Sequence, residues 1–303
     1  MSSQLDGVLT ELKGVLAAPP ATIEGFREAW SRIMDRVVEG VEPVAGARYE
    51  HVDVDGIPGS WVETPGSTGD RILLFTHGGG YAFGSVHTHR DFVARLADTC
   101  AARVLGIDYR LAPEHPFPAG VEDTLNAYRW LLGQGFAPGR IVLVGDSAGG
   151  GIALAALTRI AAADLPRPAG GVAISAWLDF EARGASMDTN ADKDPFNQRD
   201  VVLSVAGMYL AGGATPREAS PLHAPLAGLP PLLMHAGADE VLVDDTRRMA
   251  ERARVAGVEV TEHIWDGLYH DFPIFDPADE ASVEALAEIA RFVHRVTRCT
   301  PRR

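Results

Sequence analysis

The run Gly145-Asp146-Ser147-Ala148-Gly149-Gly150 holds the residue types of an activated serine. A serine hydroxyl is a poor nucleophile until it is positioned and a base takes its proton. An apolar run, 141–144, precedes this segment and a helical stretch follows it. The sequence therefore predicts a tight strand-to-helix turn that pushes Ser147 into the open. Such a turn needs residues without bulk two places before and two places after the serine, and Gly145 and Gly149 meet that demand. The start of the following helix favours a developing negative charge. In a chain with 32 glycines the pattern alone is weak, and its setting between strand and helix carries the reading.

A second glycine run, His77-Gly78-Gly79-Gly80, directly follows the apolar stretch 72–76. Attack on an ester makes a tetrahedral oxyanion that needs preset N–H donors. Three consecutive glycines let the backbone approach a bound carbonyl, which predicts an oxyanion hole built from the amides of Gly78, Gly79 and Ala148. His77, Gly80, Gly145, Asp146 and Gly149 support the two turns. A phosphate cradle is the competing reading, and it lacks the Lys and Ser/Thr of a P-loop.

The base and the acid must come from elsewhere. Among ten histidines, His263 falls in the alternating run 258–264 and reads as a strand residue. His270 lies in a loop between the last strand and the last helix, where open α/β sheets put their sites, and reads as the base. The orienting acid is expected just after the strand 232–235. Asp239 is the best placed and Glu240 the second choice, while Asp244 and Asp245 begin the next helix. The chain order Ser147, Asp239, His270 is that expected of this arrangement.

These residues have to be carried by a particular scaffold. Leu5, Val8, Leu9, Leu12, Val15 and Leu16 form one helical stripe, and Ile23, Phe26, Trp30, Ile33, Met34 and Val37 a second, with Pro19-Pro20 between them. From about residue 48 the period changes to strands, with Asp55-Gly56 as a hairpin turn. Apolar runs at 72–76, 104–108, 141–145, 172–175, 232–235 and 258–264 then alternate with helical segments. Strands apolar on both faces predict a mostly parallel sheet covered by helices. The stretch 181–214 breaks this rhythm with one extra helix, and long insertions often serve as lids.

Composition narrows the function. Of the 303 residues, 46% are hydrophobic and 22% charged, the profile of a globular protein. Lys plus Arg number 27 against 41 Asp plus Glu, and the formal charge of −14 disfavours nucleic acid as a partner. Cys100 and Cys299 are the only cysteines, which excludes a disulfide framework and a thiolate metal cluster. His87-x-His89 lacks a third ligand and reads as exposed histidines at a helix start. No stretch reaches the ~20 apolar residues that span a bilayer, and no signal peptide is visible, so a cytoplasmic location is expected. The proline-rich segment 108–118, with His115, reads as a rigid loop bracing the site.

His77 through Gly80, Asp108 through Ala119, Gly145 through Gly150 and the contexts of Asp239 and His270 together resemble the hormone-sensitive-lipase-like (family IV) carboxylesterases of the α/β-hydrolase fold. The resemblance covers nearly all of the chain beyond residue 45. It implies a sheet of about eight strands and an N-terminal helical cap at 1–45, to which 181–214 contributes, over a catalytic domain at 46–303. It also implies a serine esterase for short- to medium-chain acyl esters that uses no cofactor and no metal. Ser147 would be the nucleophile, His270 the base, Asp239 the orienting carboxylate, and Gly78, Gly79 and Ala148 the oxyanion donors. A lactonase with the same triad is the main alternative, a peptidase or a non-catalytic ligand-binding protein on this scaffold a lesser one. A homodimer is compatible with the resemblance. Two positions depart from the pattern. Asp271 follows the base where Gly is common, and a carboxylate there raises the pKa of His270. Ser175-Ala176-Trp177-Leu178-Asp179 carries Ala where related lactone and acetyl-ester hydrolases carry Pro.

Overall fold

The structure, a computed structural model, describes residues 3–18 and 20–298. Met1, Ser2, Pro19 and Cys299 therefore lie outside the described residues, as do the readings that rest on them.

Eight strands make one sheet: β1 (Arg48–Val54), β2 (Ile57–Glu63), β3 (Thr68–Thr76), β4 (Ala102–Ile107), β5 (Ile141–Asp146), β6 (Gly170–Ile174), β7 (Leu232–Gly237) and β8 (Val260–Trp265). The described helices are α1 (Ser3–Ala17), α2 (Ile23–Val37), α3 (Arg90–Thr99), α4 (Ala119–Gly133), α5 (Ser147–Ala162), α6 (Ser186–Thr189), α7 (Arg199–Tyr209), α8 (Pro216–Ala219), α9 (Val243–Val255), α10 (Phe272–Phe275) and α11 (Glu280–Val296). The strand order is β1-β2-β4-β3-β5-β6-β7-β8. The hairpin β1–β2 and the pair β2–β4 are antiparallel, and all pairs from β4 to β8 are parallel.

Every residue of β5, β6 and β7 is buried, whereas β1 is mostly exposed and β8 half-buried at the edges. Full burial on two faces is why the central strands read as unbroken apolar runs rather than alternating ones. One face packs on α4, α5 and α9 through Tyr128, Ile152, Leu157 and Met249. The other packs on α1, α2, α3 and α11 through Leu9, Ile33, Phe92 and Ile289. Leu5, Val8, Leu9 and Leu12 of the first N-terminal stripe and Ile33, Met34 and Val37 of the second are buried in this layer.

The register decides where chemistry can happen. Thr76 of β3 pairs with Gly145 of β5, Asp146 with Ile174 of β6, Ile174 with His235 of β7, and Gly237 with Trp265 of β8. Five neighbouring parallel strands thus end along one edge. The loops leaving them carry the glycine run, Ser147, Ser175, Glu240 and His270, and a site at the carboxyl edge of the sheet follows from the topology.

Candidate active site

The serine turn forms because its neighbours have no side chain to obstruct it. A Cβ on Gly149 would overlap the carbonyl oxygens of Thr76 and His77, and one on Gly145 would overlap the backbone of Gly149. With these contacts open, β5 passes into α5 so closely that Ser147 takes the left-handed conformation, φ 47°. That conformation is strained for a residue with a Cβ. Ser147 is held there by Trp177, whose amide donates to its carbonyl oxygen at 3.0 Å.

His270 comes from the loop after β8, and its Nε2 lies 3.0 Å from Ser147 Oγ. On the other side of the ring, Nδ1 lies 3.2 Å from Glu240 Oε2. Glu240 is fully buried and His270 is 5% exposed. Asp239, the expected orienting acid, is not at the imidazole. Its carboxylate takes a hydrogen bond from Lys193 at 2.9 Å on the outer side of the loop. The reason is local geometry. The amides of Ala238 and Asp239 donate to the carbonyls of Trp265 and Leu268, and Asn190 Nδ2 donates to the carbonyls of Ala238 and Glu240. Asp194 accepts from the amide of Val241. This turn sends residue 239 outward and residue 240 inward, so the second-choice acid occupies the site.

The glycine loop needs a similar correction. Gly79 and Gly80, both at positive φ, border the same cavity as Ser147. Gly78 does not border it and instead faces the Asp146 carboxylate, which a Cβ at position 78 would overlap. Ala148, buried at the second position of α5, has an amide in the first helical turn, where no intrahelical acceptor exists. His77 is a support. Its ring stacks on Tyr109 with centroids 4.3 Å apart, and Nδ1 donates to the carbonyl of Gly78 at 2.8 Å. Burial and nearby His89 push His77 down to about 4, so it stays neutral. The segment 108–118 braces the loop as expected: Tyr109 Oη donates to the carbonyl of His77 and the amide of Ala112 to that of Tyr81.

Charge is concentrated beneath the nucleophile. His89, expected to be exposed, is 3% exposed, and its Nε2 lies 3.2 Å from Asp146 Oδ2; His87 is the exposed one. Burial alone would lower the pKa of His89, and the Asp146 carboxylate outweighs it and raises it. Burial would likewise lower His270, and the carboxylates of Asp271 and Glu240 instead hold it well above the usual imidazole range. Glu240 is itself raised by burial, against the pull of His270. Asp271, Ser175, Asn190 and Asp194 were not legible as site residues, apart from the expected effect of Asp271 on the neighbouring imidazole.

Above these groups lies a cavity of about 550 Å³, within the ordinary range for small-molecule sites. Its upper wall is largely apolar, with Asp200 and Ser204 of α7 as polar members. Leu12 of α1, Phe26 and Trp30 of α2, Val205 and Met208 of α7, and Phe275 of α10 face it. Among the described residues no group of three or more His, Cys, Asp or Glu side chains is arranged to hold a metal ion, and no helix is long and apolar enough to cross a membrane.

A serine held in a strand-to-helix turn, an imidazole on its hydroxyl and a carboxylate behind, all at the carboxyl edge of a parallel sheet, form an arrangement suited to hydrolysis. The comparisons agree. Residues 73–274 match the family model described as alpha/beta hydrolase fold. An acetyl-hydrolase of Streptomyces hygroscopicus is 42% identical over 265 residues, 87% of this chain and 88% of that protein. An esterase of Acinetobacter venetianus is 33% identical over 239 residues, 78% of each chain. The crystal structure of an esterase from the bacterial hormone-sensitive lipase family superposes with a TM-score of 0.91 at 42% identity, covering 98% of this chain and 99% of the other. The chain belongs to the hormone-sensitive-lipase-like carboxylesterases of the α/β-hydrolase fold. It is a carboxylic ester hydrolase.

Proposed function

We propose that the enzyme hydrolyses short- to medium-chain acyl esters through a Ser147–His270–Glu240 triad. The observation that carries the reading is the imidazole of His270, with Ser147 Oγ 3.0 Å from one nitrogen and Glu240 Oε2 3.2 Å from the other, on the floor of an apolar cavity. Ser147 Oγ bonds to the ester carbonyl carbon while its proton passes to His270 Nε2. The carbonyl electron pair moves onto oxygen, facing the amides of Gly79, Gly80 and Ala148. The imidazolium then protonates the departing alkoxide, which leaves as alcohol, and Ser147 stays acylated. Water loses a proton to the same Nε2, attacks the acyl carbon, releases the acid and returns the proton to Ser147. Glu240 fixes the ring so that Nε2 faces the serine and stabilises the imidazolium between steps.

The cavity supports the substrate class. Its upper wall offers no charge to the acyl chain near α2, and the helices α1 and α2 with α7 act as the cap over it. Ser147→Ala should lower kcat on p-nitrophenyl acetate or butyrate by about 10⁴-fold or more. Wild-type rates in that variant would refute the triad. A lactone panel run beside the open-chain esters separates an esterase from a lactonase.

A further inference from the structure

His270 has a carboxylate on each ring nitrogen. Glu240 at Nδ1 is what a triad requires. Asp271 is not: its Oδ2 lies 3.0 Å from Nε2, the same nitrogen that reaches Ser147 Oγ. For the first step Nε2 has to be unprotonated and aimed at the serine proton. A carboxylate at that distance favours the opposite state, imidazolium with its Nε2 proton directed at Asp271.

The backbone holds Asp271 in this place. The residue is left-handed, φ 53°, and 5% exposed. Its amide donates to Ser175 Oγ at 3.1 Å, and its carbonyl accepts from the amides of Ile274 and Phe275 at the start of α10. The second carboxylate oxygen, Oδ1, is buried with no hydrogen-bond partner among the described residues. Asp271 is thus committed to the imidazole rather than shared with other donors.

The surrounding charges act in the same direction. Facing Asp271 are His270 from its own loop, Glu240 from the turn after β7, Asp146 at the head of α5, and His89 at the start of α3, paired with Asp146. Three buried carboxyl groups therefore face two imidazoles. Even with both imidazoles protonated, two positive charges oppose three negative ones. Burial pushes Asp271 up to about 7, with Asp146 and Glu240 adding to it and His270 opposing.

We propose that Asp271 is a positioning residue that grips the Nε2 proton of His270, so that release of this proton sets the lower limit of the enzyme's working pH range. The inference rests on the triad reading above. Loss of the proton to solvent turns imidazolium into the neutral base, and only then can Nε2 accept the proton of Ser147. Activity rises as pH climbs through that ionisation. Removing the carboxylate lowers the pH at which it occurs.

The test is the pH dependence of kcat/KM on p-nitrophenyl butyrate for the wild type, Asp271→Asn and Asp271→Gly. Asn tolerates the left-handed conformation and Gly prefers it. Both variants should move the acidic limb down by about one pH unit or more. A limb that stays in place while kcat falls would mean that Asp271 only shapes the start of α10, and would overturn the proposal. A measurement on the unaltered enzyme guards against variants that do not fold. The rate of Ser147 phosphorylation by diethyl 4-nitrophenyl phosphate should rise with a midpoint above the ordinary imidazole value of about 6.5. A midpoint at or below that value overturns the role of Asp271 and leaves the triad intact. Absence of labelling at every pH overturns the triad itself, and this inference with it.

Discussion

The floor and the roof of the cavity are built by different means. The floor is fixed by main chain. The amide of Ser175 donates to the carbonyl of His235 at 2.7 Å, that of Trp177 to Ser147, and that of Asp239 to Leu268. The contacts of Gly145 and Gly149 leave no room for a methyl group. The roof is fixed by side chains. Phe26 and Trp30 of α2 pack edge-on against Phe83 with centroids 5.0 and 4.9 Å apart. Tyr209 at the end of α7 stacks on Tyr81 at 4.0 Å. Main-chain packing holds catalytic atoms to a single geometry, while side-chain contacts can be remade when a different acyl group enters. The expectation is that substitutions in the floor change the rate and substitutions in the roof change which ester is taken.

Substitutions in the floor should be the most costly. Glu240→Gln keeps the shape of the acid but removes its charge, and kcat should fall by about 10⁴-fold, as for other triads that lose the orienting carboxylate. Asp239→Asn is the matched control. Its carboxylate is partly exposed on Lys193, so kcat should stay within about twofold, the scale of an ordinary surface change. Steady-state kinetics of the two variants would reverse the assignment if the second, rather than the first, were crippled. Gly149→Ala should come next. The methyl meets backbone oxygens that cannot swing aside, and a loss of about 3 kcal/mol is expected in urea unfolding. A fully stable Gly149→Ala enzyme would show that the floor yields after all.

The floor was also the part most legible in the sequence. Ser147 and its glycines form one contiguous motif whose meaning depends only on the strand before and the helix after. His270 was found because the loop after the last strand has a fixed place in this topology. What escaped depended on single-residue geometry. Asp239 and Glu240 are adjacent, and which one faces the imidazole is set by Asn190 and Asp194, almost fifty residues earlier in the chain. The glycine run gave the loop but not its phase, so Gly80 rather than Gly78 borders the cavity. His89 looked like a surface residue because its partner, Asp146, lies in a distant motif.

In the roof the largest effect should come from Arg27. This residue of α2 donates through Nε to the carbonyl of Ala82 at 2.8 Å and through Nη2 to that of Ala112 at 3.0 Å. It also grips both oxygens of Glu114, at 2.7 and 2.8 Å. One side chain thus ties the roof to the segment after the glycine loop and to the proline-rich brace. Arg27 holds the carboxyl of Glu114 down at about 2, so the tie persists at every pH at which His270 can serve as base. Arg27→Ala should cost about 1–2 kcal/mol, because the ion pair is partly exposed and only the carbonyl bonds are well shielded. The loss should appear in KM more than in kcat, since the floor is untouched. A fall in kcat comparable to that of Glu240→Gln would erase the division between floor and roof.

The smallest effect is the one that reads the roof most directly. Each methylene buried against Phe26, Trp30 and Met34 contributes about 0.8 kcal/mol, or about fourfold in kcat/KM. Along a series of p-nitrophenyl esters, kcat/KM should climb by about that factor per carbon until the chain fills the cavity, then fall. In Arg27→Ala the climb should be shallower and the optimum broader, because a loosened α2 no longer presses on the chain. Glu240→Gln should lower every point of the series by the same factor, since orienting the imidazole is indifferent to acyl length. A slope that changed with Glu240 and not with Arg27 would mean that the catalytic floor itself selects the substrate.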